Sequence, residues 1–293
     1  MKDIIVIVGP TGVGKTKLSI ELAKKLDAEI INGDSVAIYK HLDIGSAKPT
    51  KGEQENISHH LIDIKEPTEE YSVFDYQQDV RKKIEQLNNK NKRIIIVGGT
   101  GLYIKAALYN YEFTEGTTNK KYDNLTNEEI LEKLQKYNKD IDIHVNNRKR
   151  LVRTLNKYEN NEIVSYDKDN LLYPIKVIGL TTDRDYLYER INARVDKMLD
   201  SGLLDEINSL KNIYKKSKVL NTAIGYKEFY DYLYNNKSLD TVIEEIKKNS
   251  RRYAKRQYTF FNHQLKTKWF DVDFSNFSNT INNVYEYILK EKD

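Results

Sequence analysis

The chain contains no cysteine in 293 residues, and that absence removes disulfides, thiolate zinc sites and cysteine nucleophiles together. No run approaches the roughly 18 apolar residues that a membrane-crossing helix needs. The first residues enter an apolar strand without the hydrophobic stretch of a signal peptide. The expectation is a cytoplasmic enzyme with no membrane partner. A large excess of one charge is also missing: 48 Lys and Arg against 44 Asp and Glu leave a net charge of +4. Any affinity for nucleic acid must therefore be read from local clusters rather than bulk basicity. Internal repeats and low-complexity stretches are absent too. The length suits one large domain or a domain carrying an insertion.

What is present starts with Gly9-Pro10-Thr11-Gly12-Val13-Gly14-Lys15-Thr16, which follows the apolar run Ile4 to Val8 and opens a helical pattern at Lys17, Leu18, Leu22 and Leu26. This is a phosphate-binding P-loop in the strand-to-helix setting it requires. Glycines let backbone N–H groups approach a phosphate, and the helix N-terminus adds its dipole. Lys15 is expected on the phosphate, with the Thr16 hydroxyl offered to Mg²⁺. The loop does not specify which diphosphate it holds. Strands at Ile4–Val8, Ala28–Ile31 and Arg93–Val97 alternate with helices near 14–26, 73–87 and after Leu102, predicting an α/β fold with a parallel sheet flanked by helices. Such sheets bind ligands beyond the carboxyl ends of their strands, so Gly9–Thr16, Asp34 and Thr100 are expected at one rim.

From about 116 to 173 the character changes to two amphipathic helices, near 127–137 and 147–158. These predict a helical insertion between catalytic parts at 1–115 and 174–293. Later helices are expected at 184–199, 203–214, 224–234 and 239–262, strands at 175–180 and 268–272, and a last helix from 279.

One further absence concerns chemistry. An ATP-hydrolysing P-loop protein usually carries an acid at the end of a buried strand, to hold Mg²⁺ or to position water. Here Arg93–Val97 runs into Gly98-Gly99-Thr100-Gly101. Asp34, at the end of strand two, can face an acceptor as a base or simply cap its own turn. Thr100 can serve the site or only its own backbone. Arg190 and Arg194 share a helix face, either as a lid over phosphate or as a solvated face paired with Asp185, Glu189 and Asp196. Two denser clusters, Asn147 to Arg153 and Arg251 to Phe261, could grip RNA phosphates and stack unpaired bases, or be solvated surface. His59-His60 lack a third ligand and read as structural.

Further segments carry a resemblance. Asp34-Ser35 with Ile38-Tyr39, Leu42 to Pro49, His59 to Ile64, Val97 to Tyr103, Arg150 to Arg153, Arg190 to Arg194, Ile224 to Lys227 and Ala254 to Gln257 run in order over nearly the whole chain. In this the sequence resembles the bacterial tRNA dimethylallyltransferase, or IPP transferase, family. The resemblance implies a P-loop nucleoside-triphosphate-hydrolase-like fold. It implies transfer of the dimethylallyl group from dimethylallyl diphosphate to N6 of the adenosine 3′ to the anticodon, position 37, of tRNAs reading codons that begin with U. By the same resemblance the P-loop with Lys15, Thr16 and Arg194 holds the diphosphate, and Asp34 is the base, assisted by Thr100. The tRNA anticodon stem-loop would be touched by Asp34, Ser35, Val36, Ala37, Thr100, by Lys149, Arg150, Leu151, Val152 and Arg153, by Tyr226 and Lys227, and by the segment 255–262, including Lys255, Arg256 and Gln257. Ala37, Lys227 and Asn262 depart from residues common in relatives. A monomer is expected. Competing readings are an ATP-using small-molecule kinase with Asp34 as base, an adenylate isopentenyltransferase acting on free nucleotide, and a non-enzymatic RNA-binding module.

Overall fold

A computed structural model describes residues 2–111, 113, 120–160 and 170–290. Its centre is a six-stranded sheet in which every pairing is parallel, in the order β3-β2-β4-β1-β5-β6. The strands are β1 Ile4–Val8, β2 Ala28–Asn32, β3 His59–His60, β4 Arg93–Val97, β5 Ile175–Thr181 and β6 Thr267–Asp271. A strand covered on both faces needs apolar side chains in both directions, which explains the unbroken run in β1. Ile4, Val6 and Val8 enter one core with Ile94 and Ile96. Ile5 and Ile7 enter the opposite core with Ile30, Ile95 and Ile178.

Ten helices are described: α1 Lys15–Leu26, α2 Val73–Asn89, α3 Gly101–Leu108, α4 Asn127–Tyr137, α5 Arg148–Glu159, α6 Arg184–Asp200, α7 Leu203–Ser209, α8 Phe229–Tyr234, α9 Leu239–Gln264 and α10 Phe277–Leu289. Leu18 and Leu22 of α1 and Val284 of α10 fill the core that holds Ile5. Tyr76 and Val80 of α2, Ile104 of α3 and Phe261 of α9 fill the one that holds Val6. Helix α2 starts where the sequence suggests, at a capping box: Ser72 Oγ accepts from the Asp75 N–H, and the Asp75 carboxylate accepts from the Ser72 N–H. No helix among the described residues is long and apolar enough to cross a membrane.

The chain divides into two compact units, Met1–Tyr109 with Leu171–Asp293, and Asn110–Asn170. In the second unit α4 and α5 enclose a small core of Tyr122, Ile130, Leu134, Leu151 and Leu155. Arg148 closes it, donating to the Tyr122 and Leu125 carbonyls at 2.6 and 2.7 Å and to Asn127 Oδ1 at 3.1 Å. The expected start of the insertion, 116–119, lies outside the described residues.

His59–His60 form a short strand on β2, held at the edge by parallel pairing and by His60 Nε2 on Glu29 Oε2 at 2.6 Å. Two expectations need correction. The helix expected over 203–214 ends at Ser209 and tightens into a 3₁₀ turn, Lys211–Lys216. That turn carries the buried Tyr214 ring inward, where its hydroxyl donates to the Tyr226 carbonyl. The helix expected from Ile224 begins only at Phe229. Gly225 has φ +92°, and a Cβ there would lie 2.9 Å from the Gly45 carbonyl oxygen, so the chain turns left-handed to pass close to another loop.

Candidate active site

The carboxyl ends of β1, β2 and β4 meet in one cleft of about 1020 Å³, lined among others by Lys15, Asp34, Arg194, Tyr253 and Gln257. The P-loop forms its floor. Gly9 has φ +141°, and a Cβ there would lie 2.7 Å from the Leu180 carbonyl oxygen of β5, so only glycine lets the loop leave the sheet this tightly. Gly14 caps α1 with no side-chain bond, leaving first-turn amides to meet an anion. Pro10 and Val13 are buried, Thr11 and Gly12 are partly buried, and Thr16 is exposed.

Lys15 curls back over the loop, donating to the Gly9 carbonyl at 3.0 Å and the Pro10 carbonyl at 2.7 Å. Burial, and then the nearby Arg194 charge, lower its pKa to about 7, with Asp34 opposing them. Arg194 is likewise lowered by burial, while Asp34 and Glu53 favour its charge. No hydrogen-bond or salt-bridge partner of Arg194 is found among the described residues. A half-buried guanidinium without a partner beside a P-loop is suited to a phosphate. Arg190 has a different task. Its Nε donates to the Gly12 carbonyl at 3.1 Å and its guanidinium lies 4.0 Å from the Phe274 ring centroid, so it braces the crown of the loop. Neither the open lid pair nor the pairing with Asp185, Glu189 and Asp196 describes it. Asp196 is paired with Lys247 at 2.8 Å.

On the other side of the cleft, Asn32 at the end of β2 organises the acceptor turn. Its Oδ1 accepts from the Asp34 N–H at 3.0 Å, and its Nδ2 donates to the Asp34 and Leu61 carbonyls. Asp34 Oδ1 accepts from the Val36 N–H at 3.1 Å, so the turn-capping role exists. Oδ2 has no protein hydrogen bond among the described residues, so capping engages only half the carboxylate. Thr100 Oγ1 accepts from the Ser35 N–H at 3.1 Å and donates to Ser35 Oγ at 3.3 Å, joining the β4 loop to the Asp34 turn rather than serving only its own backbone. Tyr253, which the sequence left unassigned, donates to the Gly99 carbonyl at 3.2 Å. Burial and the Asp34 charge push its phenol pKa up.

The structure gathers Thr11, Gly12, Gly14, Lys15, Thr16, Asp34 to Ala37, Arg194, Lys227, Arg256 and Gln257 around this cleft, with Gly9, Pro10 and Val13 buried beneath the loop, and sets Thr100 on the turn beside it. It does not bring every expected residue to a surface. Tyr226 is fully buried with its hydroxyl on Glu206 Oε1 at 2.7 Å, and Gln257 is 4% exposed. Leu151 is a core residue of the Asn110–Asn170 unit, with Val152 partly buried against that core. Leu151 and Gln257 face inward because helical periodicity turns every third or fourth residue toward the core, whereas Tyr226 precedes α8 and is held inward by its bond to Glu206. Lys149, Arg150, Arg153, Lys255 and Arg256 are exposed. Glu206 was also missed: its carboxylate accepts from the N–H groups of Asp43, Ile44 and Gly45, fixing the loop that Lys48 closes through Asp43 and Asp63. Nothing local in the sequence around α7 signals that bond. No cluster of three or more His, Asp or Glu suited to a metal exists among the described residues.

A parallel sheet with a P-loop leaving β1, a carboxylate leaving β2 and no acid leaving β4 defines a P-loop α/β protein. The family described as IPP transferase matches residues 37–264. A tRNA dimethylallyltransferase of Bacillus cereus is 45% identical over 287 residues, covering 92% of this chain and 90% of that protein. The full-length tRNA isopentenylpyrophosphate transferase from Bacillus halodurans superposes with a TM-score of 0.77 at 38% identity, covering 98% of this chain and 96% of that one. A eukaryotic dimethylallyltransferase acting on tRNA gives a TM-score of 0.81 at 29% identity, covering 100% and 81%. The chain belongs to the IPP transferase family, and it is a prenyl-transferring enzyme.

Proposed function

We propose that the chain transfers the dimethylallyl group from dimethylallyl diphosphate to N6 of the adenosine 3′ to the anticodon, position 37, in tRNAs reading codons that begin with U. The observation that carries this reading is the single cleft in which Asp34 faces Lys15 and Arg194, while β4 ends without an acid. An adenine N6 lone pair is delocalised into the ring and is a poor nucleophile, so Asp34 takes the N6 proton as the C–N bond forms. The C–O bond to diphosphate breaks, and the growing negative charge meets Lys15, Arg194 and the loop amides. Water competes with N6 for the same carbon, which makes a missing water-positioning acid an advantage. The target base must leave its stack, at a few kcal/mol, least in an unpaired loop.

A small hard cation fits these residues. The exposed Thr16 hydroxyl has no protein hydrogen bond among the described residues. That is the donor set of Mg²⁺ held mainly by substrate phosphate and water, where it adds charge stabilisation to the leaving group. Lys149, Arg150 and Arg153 on one helix and Lys255 and Arg256 on another supply exposed cations for RNA phosphates. We further propose that the protein acts as a monomer in the cytoplasm.

The test is incubation with unmodified bulk tRNA, labelled dimethylallyl diphosphate and Mg²⁺, without ATP. Label in tRNA is the expected result. A strict ATP requirement would favour the kinase, and label in free AMP but not in tRNA would favour the adenylate isopentenyltransferase.

A further inference from the structure

Gln257, on the buried face of α9, sits with its amide between two functional loops. Its Oε1 accepts from the Thr11 N–H of the P-loop at 3.1 Å, and its Nε2 donates to the Gly99 carbonyl at 3.0 Å. A Cβ on Gly99 would lie 2.1 Å from that Nε2, so the β4 loop is shaped around the amide. Gly99 precedes Thr100, whose hydroxyl holds Ser35, the neighbour of Asp34. A continuous chain of contacts therefore runs from the loop holding the leaving group to the turn holding the base, through one rigid side-chain amide. A buried amide with both ends bonded to backbone is held in one orientation.

We propose that Gln257 is a positioning residue that sets the separation of the phosphate loop and the Asp34 turn. This rests on the prenyl-transfer reading above. Apolar side chains of equal size could fill the same space, but they would leave the Thr11 N–H without this acceptor and the Gly99 carbonyl with Tyr253 alone, so that nothing would tie the two loops together. The two loops would then move independently, and in-line attack of N6 on the prenyl carbon depends on their spacing. A displacement of about 1 Å lowers such a rate by about 100-fold.

The test compares full-length wild type with Gln257→Met, which keeps the volume and removes both bonds. Expected are a fall of about 10- to 100-fold in kcat at saturating tRNA and dimethylallyl diphosphate, and dissociation constants for both substrates within about threefold of wild type. Exchange of the Thr11 and Ser35 backbone amides with solvent should accelerate together. Should Gln257→Met fail to fold, Gln257→Glu serves: it keeps an oxygen for the Thr11 N–H and loses the donor to Gly99, so Ser35 exchange accelerates while Thr11 stays protected, and kcat falls. A folded variant with unchanged kcat overturns the proposal, and so does a loss of tRNA affinity with kcat intact. Failure of the wild type to prenylate tRNA would sink the functional reading alone, since the amide-exchange pattern still decides whether Gln257 joins the two loops.

Discussion

Two helices carry basic runs that look alike in the sequence, α5 at Arg148 to Arg153 and α9 at Arg251 to Gln257, yet they are used differently. In α5 the inward positions are Leu151 and Leu155, Arg148 closes the small core, and Lys149, Arg150 and Arg153 remain as an outward charged face. In α9 Arg251 donates to Asn192 Oδ1 on α6 at 2.5 Å, Gln257 bridges two loops, Ala254 and Phe261 are buried, and Arg252, Lys255 and Arg256 are exposed. The contrast teaches that a charge run has no function of its own. Helical periodicity and the neighbour on each face sort its members into exposed face, strut and core. Changes in the cleft that α9 closes should act on turnover, and changes on the outer face of α5 should act on binding.

The largest expected effect lies in the cleft. Asp34→Ala should lower single-turnover rates by about two to four orders of magnitude, with tRNA affinity much less changed. A folded mutant within threefold of wild type would leave Asp34 as a turn cap only, a role whose loss costs about 1 kcal/mol in a melting curve. Within α5, Leu151→Ala should destabilise the Asn110–Asn170 unit by about 2–5 kcal/mol, because it empties a packed core position. Amide exchange confined to that unit would show it, and unchanged exchange with weakened tRNA binding would instead make Leu151 a contact residue.

Arg150→Ala with Arg153→Ala should weaken tRNA binding and reduce the log–log salt slope by about 0.7 to 0.9 per lost phosphate contact, with dimethylallyl diphosphate affinity intact. An unchanged slope would make this face merely solvated. The smallest effect concerns Lys15, whose amine titrates near pH 7 in the free protein through burial and Arg194. Its folded value lies below the unfolded one, so its charge costs stability in full below pH 7, and that cost is relieved as pH rises toward 10.5. Binding of diphosphate favours the charged amine, so at pH 8 the wild type should take up more protons on binding than Lys15→Met. Calorimetry in buffers of different ionisation enthalpy measures this, and equal uptake would show that Lys15 does not meet the phosphate.

Regular elements with strong local signals were legible. Strands β1 and β4 and helix α4 occupy the residues expected, because apolar runs and a capping box are properties of neighbours in the chain. Elements defined by partners were not. The two residues of β3 depend on pairing with β2, and α8 starts late because Gly225 must pass Gly45. At the site the same division holds. The P-loop could be read directly because its backbone geometry requires particular residues at fixed spacing, and Asp34 because a strand end places it at the rim. The roles of Gln257, Glu206, Asn32 and Arg190 could not, since each is a polar side chain whose meaning is the backbone group it meets, in three cases more than 150 positions away.

The sequence by itself determined an α/β P-loop enzyme of this family, because local periodicity and short motifs encode strands, helices and phosphate-binding turns. Only the tertiary structure decided which cations face solvent, which amide joins the two halves of the cleft, and which half of the Asp34 carboxylate is left without a hydrogen bond. Those depend on distances between segments that sequence proximity does not constrain, and a buried polar group takes its role from whichever partner the packed fold sets within hydrogen-bond reach.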